Sequence, residues 1–232
     1  MKSLLQYIDE GLLKGMEDTL DDGQADLDAV AIQDIEKKLL DQNLYYIHNT
    51  NKNRPDFEIK KVRGKWAATV NGNLTVYGMD ERITDGSFSF DVIKGDFIIS
   101  CGWDNKTFRS LQYGPKEVQG HMMTYWGENF KSLQYCPKTV HGDFFINSGG
   151  LETLKYFPDF VHGHVRIADC MQLRDFTPSH IHKCHIDKSV KVIYNGAKTT
   201  EAVAQNILKR WNIGNLKISQ FDYNVNDYRG RI

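Results

Sequence analysis

The chain has 232 residues, 41% hydrophobic and 25% charged, which supplies one large core or two small ones and excludes wholesale disorder. Its 29 Lys and Arg nearly balance 30 Asp and Glu, a formal net charge of −1, which argues against a general nucleic-acid binder. No apolar run of about 18 residues signals a membrane span. Cys101, Cys136, Cys170 and Cys184 are too scattered for a zinc ribbon or a dense disulfide framework, so a reducing cytoplasm is expected.

Leu4, Leu5, Ile8, Leu12, Leu13, Met16 and Leu20 recur at spacings of three and four, an amphipathic helix weakened by Gly11 and Gly15. Charges run through this segment, so it does not read as a secretory signal. A second helix is expected over Leu27–Leu40, with Asp26 or Asp28 as its cap. Asn43 to Pro55 is rich in Asn and reads as a loop with one apolar stretch, Leu44 to Ile47. Residues 1–45 are thus an N-terminal helical segment. Charge is uneven: residues 1–30 carry eight acids against Lys2 and Lys14, while residues 188–232 carry eight bases against three acids.

The opening MKSLLQYIDE followed by Gly11 resembles the capsid-targeting peptide of internal head proteins in T-even-like tailed phages. That resemblance implies targeting by residues 1–10 and processing between Glu10 and Gly11.

A repeat occupies the middle of the chain. SLQYGPKEVQG at 110–120 returns as SLQYCPKTVHG at 132–142 and, loosened, as TLKYFPDFVHG at 153–163. RDFTPSHIHK at 174–183 reads as a fourth, degraded copy, anchored on Pro178 as the others are on Pro115, Pro137 and Pro158. Val70-Asn71-Gly72 and Ile93-Lys94-Gly95 extend the pattern upstream without the Pro. Six coils of 20 to 25 residues follow, over residues 57–195. One such coil cannot bury its own apolar face, so the coils must stack as a solenoid. Alternation as in Val140, Gly142, Phe144 and Ile146 predicts a strand with these positions inward. Leu111, Leu133, Leu151 and Leu154 supply a second inward row, and the Pro is expected at a corner. In the fourth copy Lys183 takes the glycine position, and His185 and Asp187 fall where apolar residues belong.

Ser132-Leu133 through Pro137, Val140, Gly142, Asp143 and Phe144 is similar to the repeat of leucine-rich-repeat-like proteins of tailed phages, many from gut bacteria. The resemblance covers roughly residues 35–195. It implies an LRR-like β-solenoid and a phage context but no reaction. The chain departs from it in long spacers such as Cys101 to Thr107 and in the aromatic inserts Trp103 and Trp126.

Past the repeats, Val190, Val192 and Ile193 read as a strand, Glu201–Trp211 as a helix capped by Thr199 or Thr200, and Leu216, Ile218 and Phe221 as a short strand. Residues 196–232 are therefore expected to form a helix–strand cap. The whole reads as α+β: N-terminal helices, an LRR-like β-solenoid of about six coils, and a C-terminal α/β cap.

The candidate site is a histidine surface. His141, His162 and His182 stand four residues after the Pro anchors; His121, Asp143, His164 and Cys184 stand two further on. Strands stacked about 4.8 Å apart turn such positions into ladders. With Trp103 and Trp126 they form the expected binding surface. His162, His164, His182 and Cys184 are the candidates for zinc-like ligation, since imidazole, thiolate and carboxylate are its usual donors. The same position holds Asn71, Lys94 and Gln119 in earlier coils, which favours a solvated or partner-facing surface and sets no expectation of a cofactor. No nucleophile elbow, metalloprotease helix or phosphate-binding loop occurs in a usable context. The expected role is a non-enzymatic protein-interaction module in the virion or the host cytoplasm. Its partner would be a phage structural protein or a host protein, with no membrane and no specific nucleic acid. The alternative is an inhibitor of a host enzyme or an anti-phage defence system. A metal-dependent hydrolase is the remaining reading.

Overall fold

The computed structural model describes residues 24–41, 45–48, 57–77, 83–100, 108–125, 129–168, 170, 172–173, 185–188, 190–193 and 217–218. The chain divides into two compact units, residues 1–41 and 42–232.

In the first unit, helix α1 spans residues 24–39. Ile35 and Leu39, one turn apart, are buried, while Leu27, Val30 and Leu40 are exposed. Asp34 pairs with Lys38 at 2.6 Å across one turn, an i,i+4 contact that supports the helix. Asp26 and Asp28 lie inside α1 and do not cap it; Asp28 accepts a hydrogen bond from Gln24 Nε2 at 2.7 Å. The expected first helix, with Glu10 and Gly11, lies outside the described residues.

The second unit is built from strands. β1 is Tyr45–His48, β2 Phe57–Val62, β3 Lys65–Val70, β4 Asn73–Tyr77, β5 Ser89–Ile93, β6 Phe97–Ser100 and β7 Glu117–Val118. β8 is Met122–Tyr125, β9 Thr139–Val140, β10 Phe144–Asn147, β11 Phe160–Val161, β12 Val165–Ala168, β13 His185–Ile186, β14 Val190–Ile193 and β15 Lys217–Ile218. They form two sheets, ordered β1-β4-β6-β8-β10-β12-β14-β15 and β13-β11-β9-β7-β5-β3-β2. Each turn of chain lays one strand in each sheet and returns to the same side, so successive turns pair in parallel. The result is a mostly β structure with a β-solenoid of about four turns.

The continuous strand expected from Val140 to Ile146 is instead two strands, β9 and β10, bent apart at His141-Gly142-Asp143. Both keep their even-numbered residues inward: Val140, Phe144 and Ile146 are fully buried. The same bend recurs at Ile93–Phe97, Val118–Met122 and Val161–Val165, and every one of these flanking residues is buried. Phe97, Met122, Phe144 and Val165 stack in register, as do Ile99, Thr124, Ile146 and Ile167.

The return side explains the Ser-Leu-Gln-Tyr-x-Pro phrase. Ser110, Ser132 and Thr153 each accept a hydrogen bond from the amide two residues on, at 3.0 to 3.1 Å, a side-chain-closed turn. Leu111, Leu133 and Leu154 point inward, and their carbonyls accept from Gly114, Cys136 and Phe157 at 2.8 to 3.0 Å. Tyr113 and Tyr135 take positive φ, 67° and 68°, to close these turns. Pro115, Pro137 and Pro158 follow, buried, two residues before the next strand begins.

The Asn-rich stretch expected as a loop contains β1, which pairs antiparallel with β4. Its Tyr45 hydroxyl donates to the Ile83 carbonyl at 2.8 Å, and burial pushes that phenol far above its ordinary range. β2 pairs antiparallel with β3 through a two-residue turn, Arg63-Gly64, both at positive φ as a tight hairpin requires. Exposed Lys60 and Lys61 on β2 charge that sheet edge, which discourages further pairing. β14 and β15 occur as expected and pair in parallel; the expected helix at 201–211 lies outside the described residues.

Candidate functional site at the glycine corner

The bend between the two strands of each turn is the most regular feature of the second unit. Its centre is a glycine spine: Gly72, Gly95, Gly120, Gly142 and Gly163. The amides of Gly95, Gly120, Gly142 and Gly163 each donate to the carbonyl of the glycine one turn before, at 2.8 to 3.1 Å. A Cβ on Gly120, Gly142 or Gly163 would stand 2.4 to 2.6 Å from that carbonyl oxygen, so only glycine lets the turns close to this distance.

Two side-chain rows flank the spine. In the row after the glycine, Asn73 Oδ1 accepts from the Asp96 amide at 2.8 Å and Asp96 Oδ1 from the His121 amide at 2.8 Å. His121 Nδ1 then accepts from the Asp143 amide at 2.8 Å, and Asp143 Oδ1 from the His164 amide at 2.7 Å. Each side chain thus ties its own turn to the next, satisfying a backbone donor that the bend takes out of the sheet ladder.

In the row before the glycine, the backbone amides of Lys94, Gln119, His141, His162 and Asp187 each donate one turn back, to Val70, Ile93, Val118, Val140 and Val161. Their side chains face solvent. The rings of His141 and His162 stack with centroids 5.1 Å apart and 27° between planes. Glu117 Oε1 takes His141 Nε2 at 3.0 Å, and Asp187 Oδ2 takes His162 Nδ1 at 2.7 Å. His185 Nε2 lies 3.4 Å from the other oxygen of Asp187. Since a carboxylate only accepts, both stacked rings donate to it, and two carboxylates bracket the pair. The four bracketing and stacked side chains are 38 to 44% exposed, and Phe160, 6.3 Å from His185, is exposed beside them.

The structure therefore separates the expected histidine surface into two rows. His141 and His162 stack in one; His121, Asp143 and His164 lie in the other, across the glycines. The register corrects the fourth copy. Phe160 and Val161 pair with His185 and Ile186, so Ile186 takes the inward position, Asp187 follows His162, and Lys188 stands at the glycine position. His182, Cys184, Trp103 and Trp126 lie outside the described residues. Among the described residues, no group of three or more His, Cys, Asp or Glu is placed to hold a metal ion. Glu117, Asp187, His185, Asp96 and Asn73 are the site residues that sequence reasoning missed. The Gly-Asp-Phe triplet shared by 95–97 and 142–144 was a signal for Asp96.

The outer face of the other sheet carries a second cluster. Tyr125 and Phe145 meet edge to face at 5.5 Å, and the Arg166 guanidinium lies 5.9 Å from the Phe145 centroid. Tyr125 is half-buried, and this burial raises its phenol above the ordinary range.

No protein-family model, curated protein or solved structure matches the chain.

Proposed function

We propose that the protein is a non-enzymatic protein-interaction module of a tailed phage, packaged in or attached to the virion. In this reading its solenoid runs to six LRR-like coils and ends in an α/β cap at 196–232. The observation that carries the binding role is the exposed His141–His162 stack, bracketed by Glu117 and Asp187 on a backbone tied turn to turn. Such a surface is preorganised: little side-chain freedom is left to lose when a partner docks. Exposed Phe160 beside it supplies apolar contact area, and aromatic residues are enriched at interfaces. The resemblance of residues 1–10 to capsid-targeting peptides supports the virion setting.

The test is mass spectrometry of purified phage particles, reading presence and the first residue. Presence with a start at Gly11 supports packaging with processing after Glu10. Presence with a start at Met1 supports a virion role without processing. Absence from particles overturns packaging and transfers the reading to an intracellular binder that inhibits a host enzyme or defence system.

A further inference from the structure

One link in the row after the glycines differs in kind from its neighbours. Asn73, Asp96 and Asp143 each offer an oxygen to the amide one turn on. His121 offers Nδ1, to the Asp143 amide at 2.8 Å. An amide N–H can only donate, so Nδ1 carries no proton and the ring hydrogen sits on Nε2. A carboxylate or amide oxygen still accepts at mildly acidic pH. An imidazole nitrogen stops accepting once protonated, and histidine is the side chain that changes charge between about pH 5 and 8.

The charged groups facing this ring among the described residues come from the turns on either side. From the preceding turn, Asp96 Oδ1 holds the His121 amide. From the following turn, Asp143 Oδ2 stands 3.6 Å from Nδ1, while its Oδ1 is engaged by the His164 amide. A protonated His121 therefore has a carboxylate within reach, but cannot keep the amide. The side chain is 49% exposed, so a proton reaches it without unfolding.

We propose that His121 is a proton-operated latch between the β7–β8 and β9–β10 turns. Neutral, it holds the Asp143 amide; charged, it releases that amide and turns to the Asp143 carboxylate. The stack itself stays closed, because Gly142 still donates to Gly120 and Met122 to the Asp143 carbonyl, both at 2.8 Å. This inference does not depend on the proposed binding role.

The test is NMR on the ¹⁵N-labelled full chain, titrated from pH 8 to pH 5. The expected result is an Nε2–H tautomer at His121 and a protected Asp143 amide at pH 8. On acidification, protection of that amide against exchange falls at least about tenfold, in step with the His121 ring signals. Protection at Gly142 and Met122 holds. His121→Asn, which installs the acceptor type found at Asn73, keeps the Asp143 amide protected throughout. An Nδ1–H tautomer at pH 8, or protection unchanged across the ring titration, overturns the latch, as does equal loss in His121→Asn. Should His121→Asn not fold, Asp143→Asn replaces it. This variant keeps the amide and the Oδ1 acceptor but removes the carboxylate destination, so ring titration and amide release move together to lower pH; release at an unmoved pH refutes the latch.

Discussion

Replacing Gly142 by Ala tests the close stacking of the turns more directly than any core truncation. The added Cβ would stand 2.6 Å from the Gly120 oxygen, 2.7 Å from its carbonyl carbon and 2.8 Å from the His121 nitrogen. All three are backbone atoms, so no flexible side chain can swing aside. An ordinary contact begins at about 3.5 Å, so the turns must part by roughly 0.9 Å. That lengthens two bonds beyond hydrogen-bonding range: Gly142 to Gly120 at 2.8 Å and His141 to Val118 at 2.9 Å. Two bonds at about 1 kcal/mol each, with an overpacking cost of about 1–3 kcal/mol, give an expected loss of roughly 3–5 kcal/mol. Gly149→Ala is the control, since a Cβ there meets nothing within 4 Å; its effect should stay within about 0.5 kcal/mol. Urea unfolding followed by circular dichroism measures both. If Gly142→Ala lands within about 0.5 kcal/mol of wild type, the glycines are not spacing the turns and the reasoning fails.

Thr124 is 4% exposed, sits in register with Ile99 and Ile146, and its hydroxyl has no hydrogen-bond partner among the described residues. Thr124→Val should therefore stabilise the fold by about 1 kcal/mol, read as a higher urea midpoint; a drop would show that the hydroxyl has a partner. Tyr135 holds φ at 68° while half its surface faces solvent, so Tyr135→Gly should gain or at least not lose stability, against a steric cost of about 1–2 kcal/mol for a side chain in that region. A marked loss would mean that its ring packs on the turn. The Lys116 ammonium, 2.8 Å from Asp91, with Lys60 at 3.7 Å, holds the Asp91 carboxyl below its ordinary value of 3.8, although partial burial opposes this. A carboxylate depressed on folding stabilises above its unfolded value and loses that contribution as pH falls through the folded one. The deficit of Asp91→Asn, at most about 1 kcal/mol for pairs with exposed lysines, should be full at pH 7, begin to shrink only near the ordinary carboxyl value of 3.8, and disappear once pH has fallen through the lowered folded value. A deficit that does not shrink at all between pH 7 and about pH 2 would assign it to packing.

The sequence carried the stacking in plain sight, because the inward residues repeat: Val118, Val140 and Val161 before the glycine, and Met122, Phe144 and Val165 after it. The corner was not legible for a geometric reason. The three-residue bend preserves parity, so Val140, Gly142, Phe144 and Ile146 alternate as they would along one straight strand. Periodicity of two cannot tell a strand from two strands joined by such a bend. The fourth copy was misregistered for another reason. Turn-to-turn hydrogen bonds run through the Val-x-Gly corner, whereas the return side with its Pro varies in length. From Gly142 to Gly163 is 21 residues, and from Gly163 to Lys188 is 25. Anchoring on Pro178 therefore placed the last copy five residues early, and with it His182 where Asp187 belongs. The antiparallel β1 and β2 both precede the first Val-x-Gly phrase at Val70–Gly72, so repeat logic had no means to pair them.

The two rows at the corner meet a proton in opposite ways. His141 Nε2 and His162 Nδ1 already carry hydrogens directed at Glu117 and Asp187. A second proton lands on the other ring nitrogen and leaves those contacts standing. His121 directs its bare nitrogen at an amide, so the same proton removes its contact. The same proton thus breaks a backbone contact on one flank of the glycine spine and none on the other, on a backbone that stays hydrogen-bonded beneath both. A partner that grips only the His141–His162 flank should bind His121→Asn as it binds wild type. A partner that reaches across the spine to His121 and Asp143 should not, and the difference would locate its footprint to one side of a glycine.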